Sequence, residues 1–193
     1  IIAPEPGVCS EPDLYYHATG AAQICQQGSG FCLQTGSRIR FDTYFNLFNL
    51  GTWTQACLLE GLILEITARG PGEIRVLHLR QGHPAEILHQ SRPQLHPDSP
   101  YQIDLSALLS GTPEGLLALE LVALGPEKLQ LYTARFATRR QPPSLPRLAI
   151  SITTFQREHK VRDTVARLDA FLAHSGFGDN IHVQVIDNGQ SAD

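Results

Sequence analysis

The sequence has no methionine, a single tryptophan and no long apolar run. Because a membrane-spanning helix needs roughly 18 or more consecutive apolar residues, no such helix is expected. Residues 1–8, which include Pro4 and Pro6, also lack the basic-then-apolar order of a signal peptide. We therefore expect a cytoplasmic protein. The missing methionine indicates that Ile1 follows a removed residue or that the chain is an excised piece.

Clusters of basic residues are also missing, apart from the pair Arg139 and Arg140, and the formal net charge is −4. Nucleic-acid-binding proteins normally carry a basic patch, so neither DNA nor RNA is expected as a partner. Apolar residues make up 42% of the chain and charged residues 18%. This composition is typical of a folded globular protein and excludes a disordered one.

The four cysteines, Cys9, Cys25, Cys32 and Cys57, form no CxxC pair. Because zinc sites and redox motifs commonly use that spacing, neither is predicted. Free thiols are expected in the cytoplasm, whereas a secreted chain would allow disulfides. The histidines on segments predicted as alternating strands are expected to face solvent, so no metal site is predicted.

Residues 1–138 show short apolar runs rich in β-forming residues, separated by glycine, proline, aspartate and serine. This spacing predicts a mainly β fold with an N-terminal antiparallel β-sandwich that is jelly-roll-like. Glycine and proline at residues 69–72 and 125–128 predict hairpin turns between successive strands. Residues 104–109 are predicted to form one helical turn.

Three prolines in residues 139–146 remove backbone donors and predict a linker between two domains. Residues 148–153 then form a continuous apolar run, which is typical of a strand buried on both faces of a parallel sheet. A helix should follow, with Gly176 at its end and one apolar face. That face consists of Val161, Val165, Leu168 and Leu172. Since residues 181–186 alternate again, residues 147–193 are predicted to form a βαβ unit, which binds ligands at the carboxyl ends of its strands.

Three stretches carry a resemblance to a known family. Residues 148–165 (LAISITTFQREHKVRDTV) and 181–189 (IHVQVIDNG) resemble the strand, TTFNR, helix, strand and DNG opening of family 2 glycosyltransferases. Residues 41–56 (FDTYFNLFNLGTWTQA) are similar to the β-sandwich that precedes the catalytic domain of polymerising galactofuranosyltransferases. The resemblance implies that residues 147–193 are the truncated start of a Rossmann-like GT-A domain.

The resemblance also implies an activity in cell wall polysaccharide biosynthesis. The full-length enzyme would transfer a sugar such as galactofuranose from a UDP-sugar donor to a glycan acceptor, with Mn²⁺ or Mg²⁺ as its divalent cation. It would act in the cytoplasm, with peripheral association at the inner face of the membrane and homo-oligomers among its expected forms. The chain itself contains no Asp-x-Asp-like motif and no assignable catalytic base. No catalytic residue is therefore assigned, no cation is expected to bind, and the chain alone is expected to be inactive.

The nucleotide-binding positions of the family fall on the ends of the two predicted strands. The resemblance implies that seven residues hold the nucleotide-sugar, with Arg157 near the pyrophosphate or uracil and Asp187 accepting from the base. They are Thr153, Thr154, Phe155, Arg157, Asp187, Asn188 and Gly189. The simpler alternative is that Arg157 starts a helix in solvent and Asp187 forms a turn.

Aromatic residues in residues 44–53 allow a different interpretation. Trp53 and Tyr44, with Phe45 and Phe48, are candidates for a platform on which the C–H face of a sugar packs. Core packing is the favoured alternative for these side chains, because aromatic residues supply the largest buried areas in a small sandwich. The platform would make the chain a non-catalytic carbohydrate-binding or oligomerisation module in place of a glycosyltransferase.

Overall fold

The computed structural model describes residues 1–4, 9, 11–25, 30–57, 59–110, 114–139, 147–176 and 180–189. The chain divides into two compact units, Ile1–Arg140 and Gln141–Asp193. Apart from Arg139, the stretch predicted as a proline-rich linker lies outside the described residues. Within the described ranges, no helix combines the length and the hydrophobicity that a membrane crossing requires.

The first unit is built mainly of antiparallel strands, and its connections include one short α-helix. The strands are β1 (His17–Thr19), β2 (Ala22–Ile24), β3 (Phe31–Leu33), β4 (Arg38–Phe41), β5 (Phe48–Asn49), β6 (Leu62–Leu79), β7 (Glu86–Ser91), β8 (Gln94–Leu95), β9 (Tyr101–Asp104), β10 (Leu116–Ala123) and β11 (Leu129–Thr138). The helix α1 (Leu50–Ala56) follows β5, and 3₁₀ turns span Pro12–Leu14 and Ser106–Leu109. The predictions of a mainly β antiparallel fold and of a helical turn within residues 104–109 are confirmed.

The long strand β6 belongs to both sheets of this unit. Its first half, residues 62–69, pairs with β11 and β9, and its second half, residues 72–79, pairs with β10 and β7. Even-numbered residues of β6 are buried from Leu62 to Val76. Because side chains alternate between the two faces of a strand, this one strand sets the register of both sheets.

The hairpin predicted at residues 69–72 is wrong, because β6 runs straight through this stretch. The glycine residues of this stretch allow a neighbouring backbone segment to approach β6 closely, and the strand does not reverse there. Gly70 has a φ of +107°, and a Cβ atom there would lie 2.6 Å from the carbonyl oxygen of Lys128. Residues 125–128 form no hairpin either, since β10 and β11 pair with β6 and lie on opposite sides of it in the strand order.

The core of the first unit is aliphatic, with a pair of phenylalanine rings among its largest side chains. Phe31 and Phe41 meet edge to face with ring centroids 5.1 Å apart, and both are fully buried. Buried leucine and isoleucine side chains from β4, β6, β10 and β11 belong to the same cluster. Since apolar burial is the dominant favourable term in folding, this unit has a core of its own.

Cys25 and Cys32 form a disulfide bond, so the expectation of free thiols is wrong for this pair. Strands β2 and β3 pair directly, and Cys25 follows β2, where its N–H donates to the carbonyl oxygen of Gly30 at 3.1 Å. This pairing brings the Cα atoms of the two cysteines to 5.6 Å, inside the range that a disulfide spans. Cys9 and Cys57 are free.

We expect reduction of the Cys25–Cys32 bond to lower the free energy of unfolding by roughly 2 kcal/mol. The bond restricts the conformations of the unfolded chain, and the loop that it closes is short. Urea denaturation with and without a reductant measures the loss, and Cys25→Ser with Cys32→Ser should reproduce it. Cys57→Ser, at an exposed free thiol, is the control and should change little. Equal midpoints for the oxidised and reduced protein would contradict this expectation.

A row of alternating charges crosses the sheet that β6 forms with β10. Arg75 pairs with the buried Glu73 and also with the buried Glu120, whose Oε1 lies 2.8 Å from Nη1 of Arg75. Arg92 adds a hydrogen bond of 2.5 Å from Nε to Oε2 of Glu73. The bond from Arg92, helped by Arg75 and opposed by burial, holds the pKa of Glu73 below its ordinary value. Glu73 is therefore ionised in the folded protein at neutral pH.

This pairing predicts a loss of stability in acid. Because the folded-state pKa of Glu73 is lowered, its stabilisation is present above the ordinary carboxyl pKa of 4.5 and is lost as the pH falls through the folded-state value. We expect Glu73→Gln to lower the free energy of unfolding at neutral pH and to flatten its decline between about pH 5 and pH 3. Denaturation across this range is the measurement, with Glu114→Gln at an exposed position as control. The same slope in Glu73→Gln and wild type would refute the assignment.

The second unit has a strand, a helix and a second strand among its described residues. They are β12 (Leu148–Thr154), α2 (Glu158–Ser175) and β13 (Ile181–Asp187). β12 and β13 pair in parallel, from Leu148 with Ile181 to Thr154 with Asp187. Gly176 ends α2 with a φ of +74°, as predicted. The predicted apolar face of α2 is half-buried and consists of Val161, Val165, Leu168 and Leu172.

The burial predicted for the first strand of this unit is wrong. Thr154 is the only buried residue of β12, and the others are exposed or half-buried. In residues 147–176 and 180–189, no further strand adds to the β12–β13 pair. The Rossmann-like, GT-A assignment is therefore not supported. A short apolar run looks the same in sequence whether or not other elements cover the strand, which explains the difference.

Candidate functional site

An open groove of about 400 Å³ lies in the first unit, next to β11. Four aromatic side chains and one charged side chain among its lining residues define what we call the aromatic groove. They are Phe45, Phe48, Trp53, Phe136 and Arg135. The aromatic residues come from the loop before β5, from β5, from α1 and from β11, so strand pairing and helix placement bring distant parts of the sequence together.

The position of Trp53 follows from how α1 begins. The side chain of Asn49 accepts a hydrogen bond of 3.0 Å from the N–H of Thr52 and so caps the helix. Leu50, the first residue of the helix, is buried, and its N–H donates to the carbonyl oxygen of Gly115 at 3.0 Å. Since this first turn is fixed to the sandwich, Trp53 is held at the surface, where 48% of it is exposed.

Three of the rings form a continuous stack. The rings of Phe48 and Trp53 are nearly parallel, at an angle of 6°, with centroids 6.1 Å apart. The ring centroid of Phe48 also lies 4.7 Å from that of Phe136. Ring pairs at these separations are attractive beyond their buried area. The stack therefore holds the Trp53 ring in a defined orientation at the rim of the aromatic groove.

Polar side chains from three neighbouring strands meet at Glu65. Register places Arg135 on β11 opposite Glu65 on β6, and Glu65 opposite Gln102 on β9. Nε of Arg135 donates to Oε2 of Glu65 at 2.6 Å, and Nε2 of Gln102 donates to Oε1 at 2.9 Å. The hydrogen bond from Arg135 is the main cause that holds the pKa of Glu65 below its ordinary value. Glu65 is therefore ionised at neutral pH.

The backbone of β11 presents polar groups on the side away from β6. β11 pairs with β6 along its length, whereas β3 covers its other edge only at residues 129–131. The carbonyl oxygen of Ala134 points to that open edge, since it accepts from the nitrogen of Ile1 at 2.5 Å. In an antiparallel pair these directions repeat every second residue, so the N–H and C=O of Phe136 also point away from β6. No described strand pairs with them there.

Core packing was the favoured interpretation for the aromatic side chains of residues 44–53. Phe48 does pack against the core, but Trp53 and Tyr44 do not. Both are exposed, Trp53 to 48% and Tyr44 to 80%. Tyr44 contacts Phe45 at 5.1 Å, edge to face, but does not line the groove. Phe136, Arg135 and Glu65 were missed. Their strands could be predicted from alternation, but the pairing that brings β11 beside residues 45–53 could not.

The residues predicted to hold a nucleotide-sugar lie around the carboxyl ends of β12 and β13. Thr153, Thr154, Phe155 and Arg157 line a cleft of about 410 Å³ together with Lys160. Across the pair, Asp187 lies opposite Thr154, and the N–H of Asn188 donates to the carbonyl oxygen of Thr154 at 2.9 Å. The structure thus brings the two predicted segments together.

The individual side chains at these strand ends agree with the simpler alternative for two residues. The Asp187 carboxylate accepts from the N–H of Gly189 at 2.9 Å, which is a turn-forming contact. Arg157 is exposed at the position before α2 and makes no capping hydrogen bond with its side chain. Among the described residues, no three histidine, cysteine, aspartate or glutamate side chains are grouped so that they could hold a metal ion.

Comparison with known proteins gives no family: no family model and no curated protein matches the chain. Matches to solved structures include xylanase 10C (mutant E385A) from Cellvibrio japonicus in complex with xylopentaose, at TM-score 0.40 and 9% identity, covering 72% of this chain and 32% of that chain. TmCBM61 in complex with β-1,4-galactotriose matches at TM-score 0.38 and 5% identity, covering 64% of this chain and 88% of that chain. A structure described as "CBM4 structure and function" matches at TM-score 0.32 and 18% identity, covering 64% and 94%.

The chain thus spans about a third of the xylanase it matches. At these TM-scores the likenesses assign neither a ligand nor an activity to this chain.

The assignment to family 2 glycosyltransferases is wrong. No family model matches, and in the described residues the parallel pair β12–β13 has none of the further strands of a Rossmann-like sheet. The transferase activity and the galactofuranosyl function are withdrawn with it, and a UDP-sugar donor has no support. The resemblance rested on three short stretches, residues 41–56, 148–165 and 181–189, and a strand, helix and strand of that length recur in many folds. The divalent cation expected for a longer enzyme stays a prediction.

Proposed function

We propose that the β-rich unit is a carbohydrate-binding module and that a sugar packs on Trp53 in the aromatic groove. The observation that carries the proposal is the half-exposed Trp53 ring, stacked at 6° on Phe48 beside an open groove. Large exposed aromatic side chains in a groove usually mark a binding surface, since each leaves apolar area in water. The apolar C–H face of a pyranose ring suits such a flat partner.

The stack also limits the cost of binding. Phe48 supports Trp53 from one side, and Phe136 supports Phe48. A ring that is already held in place loses little conformational freedom when a ligand packs on it. The aromatic groove is therefore preorganised for a flat apolar surface.

Polar groups at the same groove suit the hydroxyls of a sugar. The side chain of Arg135 is 74% exposed, and its guanidinium offers donors beyond the Nε–H that is bonded to Glu65. The N–H and C=O of Phe136, which point away from β6, are proposed as further partners for sugar hydroxyls. A binding site that combines an apolar surface with a few fixed polar groups can hold a sugar in one orientation.

Binding without hydrolysis is proposed because the described lining of the groove lacks the carboxyl groups that hydrolysis uses. Glycoside hydrolysis uses a pair of carboxyl groups on either side of the scissile bond. The described lining of the aromatic groove contains one charged side chain, Arg135, and no carboxylate.

We also infer that the Cys25–Cys32 disulfide favours an oxidising compartment over the cytoplasm.

Affinity electrophoresis of the whole chain tests the proposal. We expect slower migration in gels that contain at least one soluble neutral polysaccharide, and competition by its oligosaccharides. No retardation by any neutral glucan, xylan or galactan would count against the proposal. A concentration-dependent dimer that Trp53→Ala dissociates, without glycan binding, would support the oligomerisation alternative instead.

A further inference from the structure

Arg135 is the one charged side chain among the described lining residues of the aromatic groove, and its charge is already compensated. Its Nε lies 2.6 Å from Oε2 of Glu65, and the side chain of Glu65 is only 21% exposed, against 74% for Arg135. A ligand in the groove is therefore expected to contact the guanidinium, and it also interacts electrostatically with the carboxylate next to it. Two opposite charges at this separation largely cancel at a distance.

The carboxylate is fixed in this position from both sides. Gln102 on β9 donates a hydrogen bond to Oε1 of Glu65 at 2.9 Å, and Arg135 on β11 donates one to Oε2. Strand register places all three residues in one row across the sheet. Because the hydrogen bond from Arg135 also lowers the pKa of Glu65, the compensating charge persists at neutral and mildly acidic pH.

Resting on the proposed function, we infer that the aromatic groove selects neutral glycans over uronic-acid glycans, and that Glu65 determines this selectivity by neutralising Arg135. A neutral hydroxyl can accept from the exposed nitrogens of the guanidinium whether or not Glu65 is present. A uronate carboxylate would pair strongly with a free guanidinium. Beside Glu65 it meets a second carboxylate, and the repulsion offsets that attraction.

The test compares dissociation constants for two oligosaccharides of equal length and the same linkage, an oligogalacturonide and its fully methyl-esterified, neutral form, measured by calorimetry on the whole chain. Wild type is expected to bind the neutral ligand at least ten-fold more tightly. Glu65→Gln keeps the size and polarity of the side chain but frees Arg135, so the preference should shrink at least ten-fold. Uronate binding by this variant should weaken with added salt.

A second variant changes the selectivity in the opposite direction. Arg135→Gln removes the cation and leaves Glu65 uncompensated, so the preference for the neutral ligand should increase. Thermal unfolding of both variants establishes that they are folded, and either one alone decides the question.

Three results would overturn the inference. Wild type could bind the uronate as tightly as the neutral ligand, or Glu65→Gln and Arg135→Gln could leave the preference unchanged while glycans still bind; each removes the inference and keeps the proposed function. If neither ligand nor any other glycan binds wild type, the proposed function is lost as well.

Discussion

Gly70→Ala should destabilise the first unit by about 4 kcal/mol, a large loss for the addition of a single methyl group. Gly70 lies in the middle of β6 with a φ of +107°, a conformation that side chains with a Cβ rarely adopt. The added methyl would also lie 2.6 Å from the carbonyl oxygen of Lys128, which is backbone and cannot rotate away. Both sheets depend on β6, so the strain cannot be confined to one hairpin.

Gly36→Ala is the matched control for this experiment. Gly36 also has a positive φ, +75°, but no heavy atom would lie within 4 Å of an added Cβ. It should therefore show the conformational cost alone, about 1 kcal/mol. Urea denaturation of both variants gives the comparison. Equal losses in the two variants would mean that the close approach at Gly70 contributes nothing.

Trp53→Ala should weaken glycan binding about 10- to 100-fold, which corresponds to about 1.4–2.7 kcal/mol. The variant removes the ring on which the sugar is proposed to pack and leaves Phe48 without its stacked partner. Trp53 is half-exposed, so the free energy of unfolding should change much less than it would for a core aromatic residue. Calorimetry with the glycan found by electrophoresis measures the effect.

Two variants separate a local effect from a general one. Phe171→Ala removes an aromatic side chain that is 64% exposed in the second unit, and it should leave binding unchanged. Tyr44→Ala should have an intermediate effect, because Tyr44 contacts Phe45 but does not line the groove. If Trp53→Ala bound the glycan like the wild type, the aromatic groove would not be the site.

Sequence reasoning succeeded where a local pattern determines the structure. The helical spacing of Val161, Val165, Leu168 and Leu172 predicted the half-buried face of α2, and Gly176 ends it as expected. Alternation likewise predicted the β-rich first unit. These features depend on residues a few positions apart, so the order of residues along the chain is sufficient to predict them.

Predictions that depended on distant neighbours were the ones that failed. Glycine and proline at residues 69–72 are compatible with a turn and also with a continuous strand that passes close to another backbone segment. Only the position of Lys128 decides between these two structures. The Cys25–Cys32 disulfide depends on the pairing of β2 with β3, which the cysteine spacing did not indicate. The aromatic groove requires β11 to lie beside residues 45–53. Non-local pairing of this kind has no signature in a single sequence.

The account can be tested most directly by fluorescence, because Trp53 is the only tryptophan in the chain. Its emission therefore reports on the aromatic groove without labelling. We predict a saturable change in emission when a neutral oligosaccharide is added, with the same dissociation constant as calorimetry gives. A glycan that binds by calorimetry but leaves the Trp53 emission unchanged would contradict the account.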